Sequence, residues 1–204
     1  MRRQLRPALL MVLVFTVLLG LAYPLVVTGI AQSAFPDKAN GSLVRQHGTV
    51  VGSRLIGQSF TDARGRPLPQ YFQSRPSAAT GASGKSATGY DPTLSSGSNL
   101  AATNPKLTAV VAQRVRDYRA FNRLAPGQAV PVDAVTASGS GLDPDISLAN
   151  ARLQAARVAR ARRLPLSTVL GLIDAHENQR TLGVLGEPTV NVLALNVALN
   201  NLRS

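Results

Sequence analysis

Four groups of residues in this chain of 204 residues have types and spacings that could do chemistry. Gly81-Ala82-Ser83-Gly84-Lys85-Ser86 ends like a phosphate loop of the form G-x-x-x-x-G-K-[ST], in which backbone N–H groups cradle phosphate. Ala79 stands at the first glycine position, no apolar strand leads in, and Gly89-Tyr90-Asp91-Pro92 opposes the helix that should follow. Asp143-Pro144-Asp145 offers two closely spaced carboxylates, but Ser147 and Leu148 occupy the positions where a calcium loop needs Asp or Asn and then Gly. That segment therefore reads as a turn whose carboxylates cap the next helix. His47 and His176 are the two histidines, the second flanked by Asp174 and Glu177. Neither H-E-x-x-H nor G-x-S-x-G is present. A Ser-His-Asp triad assembles in space rather than in sequence, so spacing leaves it open, beside surface or capping use of both rings. The fourth group is the arginine cluster 152, 157, 160, 162 and 163. It could meet an acidic partner or lipid headgroups, but it does not form one narrow helical stripe and reads as a solvated helix face.

The bulk composition narrows these options. The formal charge is +12, with 19 Arg among 22 basic residues, and the charges are scattered apart from the one cluster. There are neither zinc-finger cysteines nor an aromatic-rich platform for single strands, so nucleic acid is not an expected partner. The absence of cysteine excludes disulfides, thiolate catalysis and thiolate metal sites.

The elements that must position any site begin with Pro7–Ile30, which carries no charged residue. As a helix this run would span roughly 36 Å, enough to cross a hydrocarbon core of ~30 Å. Arg2, Arg3 and Arg6 precede it, whereas Asp37 and Lys38 are the first charges beyond it, so the positive-inside bias predicts a cytoplasmic N-terminus. Ala31-Gln32-Ser33 could serve as a signal-peptide cleavage site, but the run is longer than such a segment needs, and a retained anchor is the reading. Tyr23-Pro24 interrupts it and predicts a kink. With Gly20, Thr16, Thr28 and Gly29, that break leaves room for another membrane helix, beside the equal reading of a tolerated proline in a simple anchor. The expected organisation is 1–6 cytoplasmic, 7–30 transmembrane and 31–204 one mixed α+β exocytoplasmic domain.

Within that domain, Ala31–Asn40 reads as a helical extension or linker stopped near Pro36. Ser42–Phe60 holds a short strand pair, with Val50, Val51, Leu55 and Ile56 as its apolar residues. Tyr71–Pro76 is extended, and Ala78–Ser98 is a long loop. Lys106–Asn122 is a helix with Leu107, Val110, Val111, Val115 and Tyr118 on its apolar side. A second helix runs from near Ser147 to about Arg163, and Ser167 caps a third that ends at Ala175. Val190–Leu199 has the length of a helix and the β-branched content of a strand.

GSRLIGQSF (52–60), YFQSRPSA (71–78), SGSNL (96–100), SGSGLDPDIS (138–147) and LGVLGEPTVNVLALNVAL (182–199) together closely resemble the KdpC family, the C subunits of bacterial potassium-transporting P-type ATPases. With the anchor, the resemblance covers nearly the whole chain. It implies an accessory subunit in a complex with a KdpA-like channel subunit, a KdpB-like P-type pump subunit and a KdpF-like small peptide. The complex uses ATP to drive potassium inward, and the C subunit assembles or stabilises it and is described as a catalytic chaperone that raises ATP affinity. An exported domain cannot touch cytoplasmic ATP, so such an effect would need coupling through the membrane; a place over the extracellular potassium entrance is the alternative expectation. No catalytic, cofactor-binding or metal-binding residue is assigned to this chain. An independent anchored hydrolase using His176, or an anchored binding module, are the competing readings.

Overall fold

The computed structural model describes residues 2–79 and 89–202. They fall into two compact units, 1–43 and 44–204. The first unit holds α1 (Arg2–Val17) and α2 (Tyr23–Ala34), joined by the π-helical turn Leu18–Ala22. Pro24 has no N–H to give Gly20 and its ring crowds that carbonyl, so an unmodified α-helix would lose a bond there. The chain takes one wider turn instead, with the Tyr23 N–H donating to the Leu18 carbonyl. The expected interruption is thus absorbed without ending the helix. From Arg3 to Ala34 it is long and apolar enough to cross a membrane, which extends beyond the expected 7–30 at both ends. The helix stops at Phe35, and Pro36 opens the single turn α3 (Pro36–Ala39).

The second unit is a mixed α/β domain. Its first hairpin pairs β1 (Leu43–Gln46) with β2 (Thr49–Ser53). His47 and Gly48 both have positive φ between them, the backbone of a two-residue hairpin turn. Leu55 and Ile56, expected in the strand pair, lie in the turn that follows it. Helix α4 (Pro105–Asn122) starts where Asn104 accepts a hydrogen bond from the Lys106 N–H. Its expected apolar side is only half-buried.

The core lies around α5 (Leu148–Arg162), α6 (Leu166–Ala175) and a three-stranded antiparallel sheet ordered β3 (Asp145–Ser147), β5 (Thr189–Asn191), β4 (Glu177–Asn178). Ala151, Ala155 and Ala159 let α5 approach its neighbours closely. Val158, Val169, Ile173, Ile146, Val190, Leu195 and Leu199 fill the space around them. Helix α6 begins at Leu166 behind Pro165, without a side-chain cap, so Ser167 is not the cap it was expected to be.

The segment Val190–Leu199 resolves into both expected states. Thr189–Asn191 pairs as β5, and α7 (Val192–Asn201) follows at once because the Asn191 side chain accepts from the Ala194 N–H. Asp145 likewise belongs to β3 rather than to a capping turn. Ser147 is the N-cap of α5, and the carboxylate behind it is that of Asp133, which accepts from the Ser147 N–H and Oγ and from Asn150 Nδ2.

Candidate functional site

Hydrogen bonds join the five motif segments, far apart in sequence, to one another. Their organising feature is a strap, residues 69–73, that leaves the turn at Leu68–Tyr71 and pairs with no strand among the described residues. Its carbonyls are buried or partly buried and need donors. Side chains from two helices supply them in order. Arg157 reaches the carbonyls of Pro69 and Tyr71, and Arg162 Nε reaches that of Gln70. Asn196 Nδ2 reaches that of Phe72, and Gln154 Nε2 that of Gln73. The same two amides accept in return, Asn196 Oδ1 from the Phe72 N–H at 2.9 Å and Gln154 Oε1 from the Gln73 N–H at 2.7 Å. Two side-chain amides therefore do for the strap what a neighbouring strand would do. Phe72, anchored in this way, is fully buried in the core.

This geometry corrects the expectation that the arginines of α5 form a solvated face. Arg157 and Arg162 are buried, Arg152 pairs with Asp174 at 3.1 Å, and only Arg160 and Arg163 join Arg152 as exposed members. Arg157 lies against the Phe121 ring at 4.3 Å, donates to Asn122 and Gln154, and has no carboxylate partner among the described residues. Its burial lowers its pKa to about 10.

A second network, of glycine and serine, links the other motif segments. The Gly57 N–H bonds to the Leu142 carbonyl, and the Ser96 N–H to that of Ser140. Ser77 Oγ donates to the Gly141 carbonyl and accepts from the Tyr90 N–H. Gly141 has φ +68°, and a Cβ there would sit 2.4 Å from the Ser96 oxygen, so only glycine fits. Tyr90 donates to the Arg75 carbonyl, and its burial pushes its pKa up to about 12. Arg75 pairs with Asp143 at 2.9 Å. Asp145 accepts from Thr189, Asn191 and Asn178, tying β3 to the sheet.

Between the strap and α4 lies a cleft of about 230 Å³, lined by Gln73, Arg114, Tyr118, Phe121, Asn150 and Gln154 among others. Several of its polar groups are already bonded: Tyr118 donates to Asn150, Gln154 to Asn150 and Arg114 to the Val135 carbonyl. Burial pushes the Tyr118 hydroxyl well above its ordinary pKa and lowers that of Arg114. Asp117 also lines the cleft, and its carboxylate accepts from Gln113 Nε2.

The remaining sequence candidates do not assemble. His176 follows α6 and its Nδ1 lies 2.9 Å from the Leu172 carbonyl, while neighbouring Asp174 turns to Arg152. His47 is exposed in its hairpin turn. No group of three or more His, Cys, Asp or Glu side chains able to hold a metal occurs among the described residues. The Gly81–Ser86 loop lies outside the described residues. The strap clamps were missed from sequence; Gln154, Asn196 and the two arginines sit on the core faces of their helices, which was the available signal.

Comparison with known proteins places this arrangement. The family described as "KdpC: K+-transporting ATPase, c chain" matches residues 5–201. The chain is 55% identical over 202 residues to the potassium-transporting ATPase KdpC subunit of Mycobacterium tuberculosis strain H37Rv, covering 99% of this chain and all of that one. It is 56% identical over 201 residues to the same subunit of Caulobacter vibrioides, covering 98% of this chain and 94% of that one. For the Allorhizobium ampelinum subunit the identity is 50% over 200 residues, covering 98% and 97%.

Proposed function

Because the chain belongs to the KdpC family of potassium-transporting ATPase subunits, we propose that it is a non-catalytic accessory subunit that assembles and stabilises such a pump in the bacterial inner membrane. The observation that carries this is the match from residue 5 to residue 201, which takes in the membrane-span candidate and the domain together. Its partners are a KdpA-like channel subunit, a KdpB-like pump subunit and a KdpF-like peptide; ATP and potassium are used by the complex. The strap side chains fit a supporting role, since each is spent on holding the fold.

We place residues 1–6 in the cytoplasm, with Arg2, Arg3 and Arg6 retained there by the positive-inside bias, and the domain from residue 31 outside. In that orientation the domain caps the extracellular potassium entrance of the channel-like subunit. Any effect on the pump's ATP affinity then travels through the membrane as a coupling between two states of the complex. The hydrolase alternative gains nothing at His176, where the ring is bonded to a carbonyl rather than to a carboxylate.

Co-expression with the other subunits and affinity purification in mild detergent tests the assignment. Recovery of a potassium-responsive ATPase with this chain bound supports it; recovery of the chain alone overturns it. Crosslinks from the domain solely to cytoplasmic pump domains would overturn the placement over the potassium entrance.

A further inference from the structure

Between β4 and β5 the chain makes a small hairpin whose tip breaks a folding rule. The Thr181 and Leu185 backbones bond to each other in both directions at 2.9 Å, and Arg180 pairs with Glu187 at 2.6 Å below them. The Val184 N–H bonds to the Thr181 carbonyl, and the two residues between them, Leu182 and Gly183, have φ +54° and +76°. This is the backbone of a type I′ turn, whose first central position favours Asn, Asp or Gly. A leucine there is disfavoured, because its Cβ crowds the following carbonyl in the left-handed region. The strained residue contributes nothing to the core: Leu182 is 86% exposed, Val184 73% and Leu185 58%. A strained residue that no internal packing explains points to an external role.

We propose that the Leu182–Val184–Leu185 tip is a docking plug that seats in an apolar socket on another protein subunit of the same ATPase. This rests on the reading of the chain as a subunit of a larger complex. Three features favour a protein socket over a lipid surface. The tip has no aromatic or lysine of the kind that anchors in the bilayer interface. Its Arg180 and Glu187 neutralise each other, so the tip itself carries no net charge toward anionic lipid. The hairpin is also held in one shape by its cross-bridge and ion pair, and a fluid surface has no use for a fixed shape. In a socket the aliphatic tip would be the desolvated centre and the Arg180–Glu187 pair its polar rim.

The test uses the full chain co-expressed with the other subunits. Leu182→Asn places a favoured residue in the turn, and Val184→Ser removes apolar surface without touching the core. Both variants should leave the thermal unfolding of the isolated chain unchanged or raised, yet speed its dissociation from the purified complex about tenfold or more. Unchanged dissociation in both overturns the plug while leaving the subunit assignment standing; failure of the unaltered chain to co-purify overturns the assignment itself. The chain contains no cysteine, so Val184→Cys accepts a single fluorescent label. The label should be shielded from an aqueous quencher in the complex and open to it when the chain stands alone in nanodiscs. Shielding in the lone chain by lipid, reported by a lipid-borne quencher, would overturn the protein socket, as would concentration-dependent shielding from a second copy.

Discussion

Asn196 offers the sharpest test of how this domain is held together. Its side chain is 1% exposed, accepts from the Phe72 N–H at 2.9 Å and donates to the Phe72 carbonyl at 3.0 Å. Replacing it with leucine keeps most of the volume but leaves a buried donor and a buried acceptor without partners. Each orphaned group costs about 1–3 kcal/mol, so the expected loss is about 2–6 kcal/mol. Against a typical total of about 5–15 kcal/mol, that is a large share of the stability. Urea titration of the detergent-solubilised chain measures it, with tyrosine fluorescence as the signal, since the chain lacks tryptophan and Tyr71 sits beside the clamp. A loss below about 1 kcal/mol, with the unfolding slope unchanged, would refute the reasoning, because it would make Asn196 a space-filler and the amide pairing dispensable.

Arg157→Lys keeps the charge but cannot span the carbonyls of Pro69 and Tyr71 together with Asn122 and Gln154; it should lose about 2–4 kcal/mol in the same titration. Gly141→Ala forces a Cβ against the Ser96 oxygen in a left-handed backbone. It should destabilise by more than about 2 kcal/mol, checked by thermal unfolding. Alkali should also weaken the domain. Tyr90 and Tyr118 ionise later in the folded chain than in the unfolded one, so stability falls as pH rises above 10. Arg157, lowered to about 10, gives up its proton earlier in the folded chain and works the other way. The two tyrosines outweigh the one arginine, so the net effect above pH 10 is a loss of stability as pH rises. Urea midpoints across that range measure it, and Tyr118→Phe should flatten it.

Much of the architecture is legible in the sequence where local rules act alone. Helix α5 follows from the spacing of Ala151, Ala155 and Val158 behind Ser147, and α4 from Asn104-Pro105 and its repeat of apolar residues. The split at Asn191 was also readable: an Asn cap followed by Val192, Leu195, Asn196 and Leu199 at helical spacing. Counting arginines hid Arg162, which continues the buried row of Ala151, Ala155 and Val158. The extended run from Tyr71 was legible, but the strap's partners were not, because they are side chains more than eighty residues away. The leucine at the hairpin tip looked like one more apolar residue of a family motif; only its φ and its exposure set it apart.

The central claim is that this chain acts by completing a potassium pump rather than by chemistry of its own. Potassium-stimulated ATP hydrolysis, measured on the complex of the other subunits purified with and without this chain, tests it most directly. The account predicts that stimulation is lost or the complex falls apart without the chain, and returns when the full chain is co-expressed. Equal, stable, potassium-stimulated activity in both preparations would contradict it.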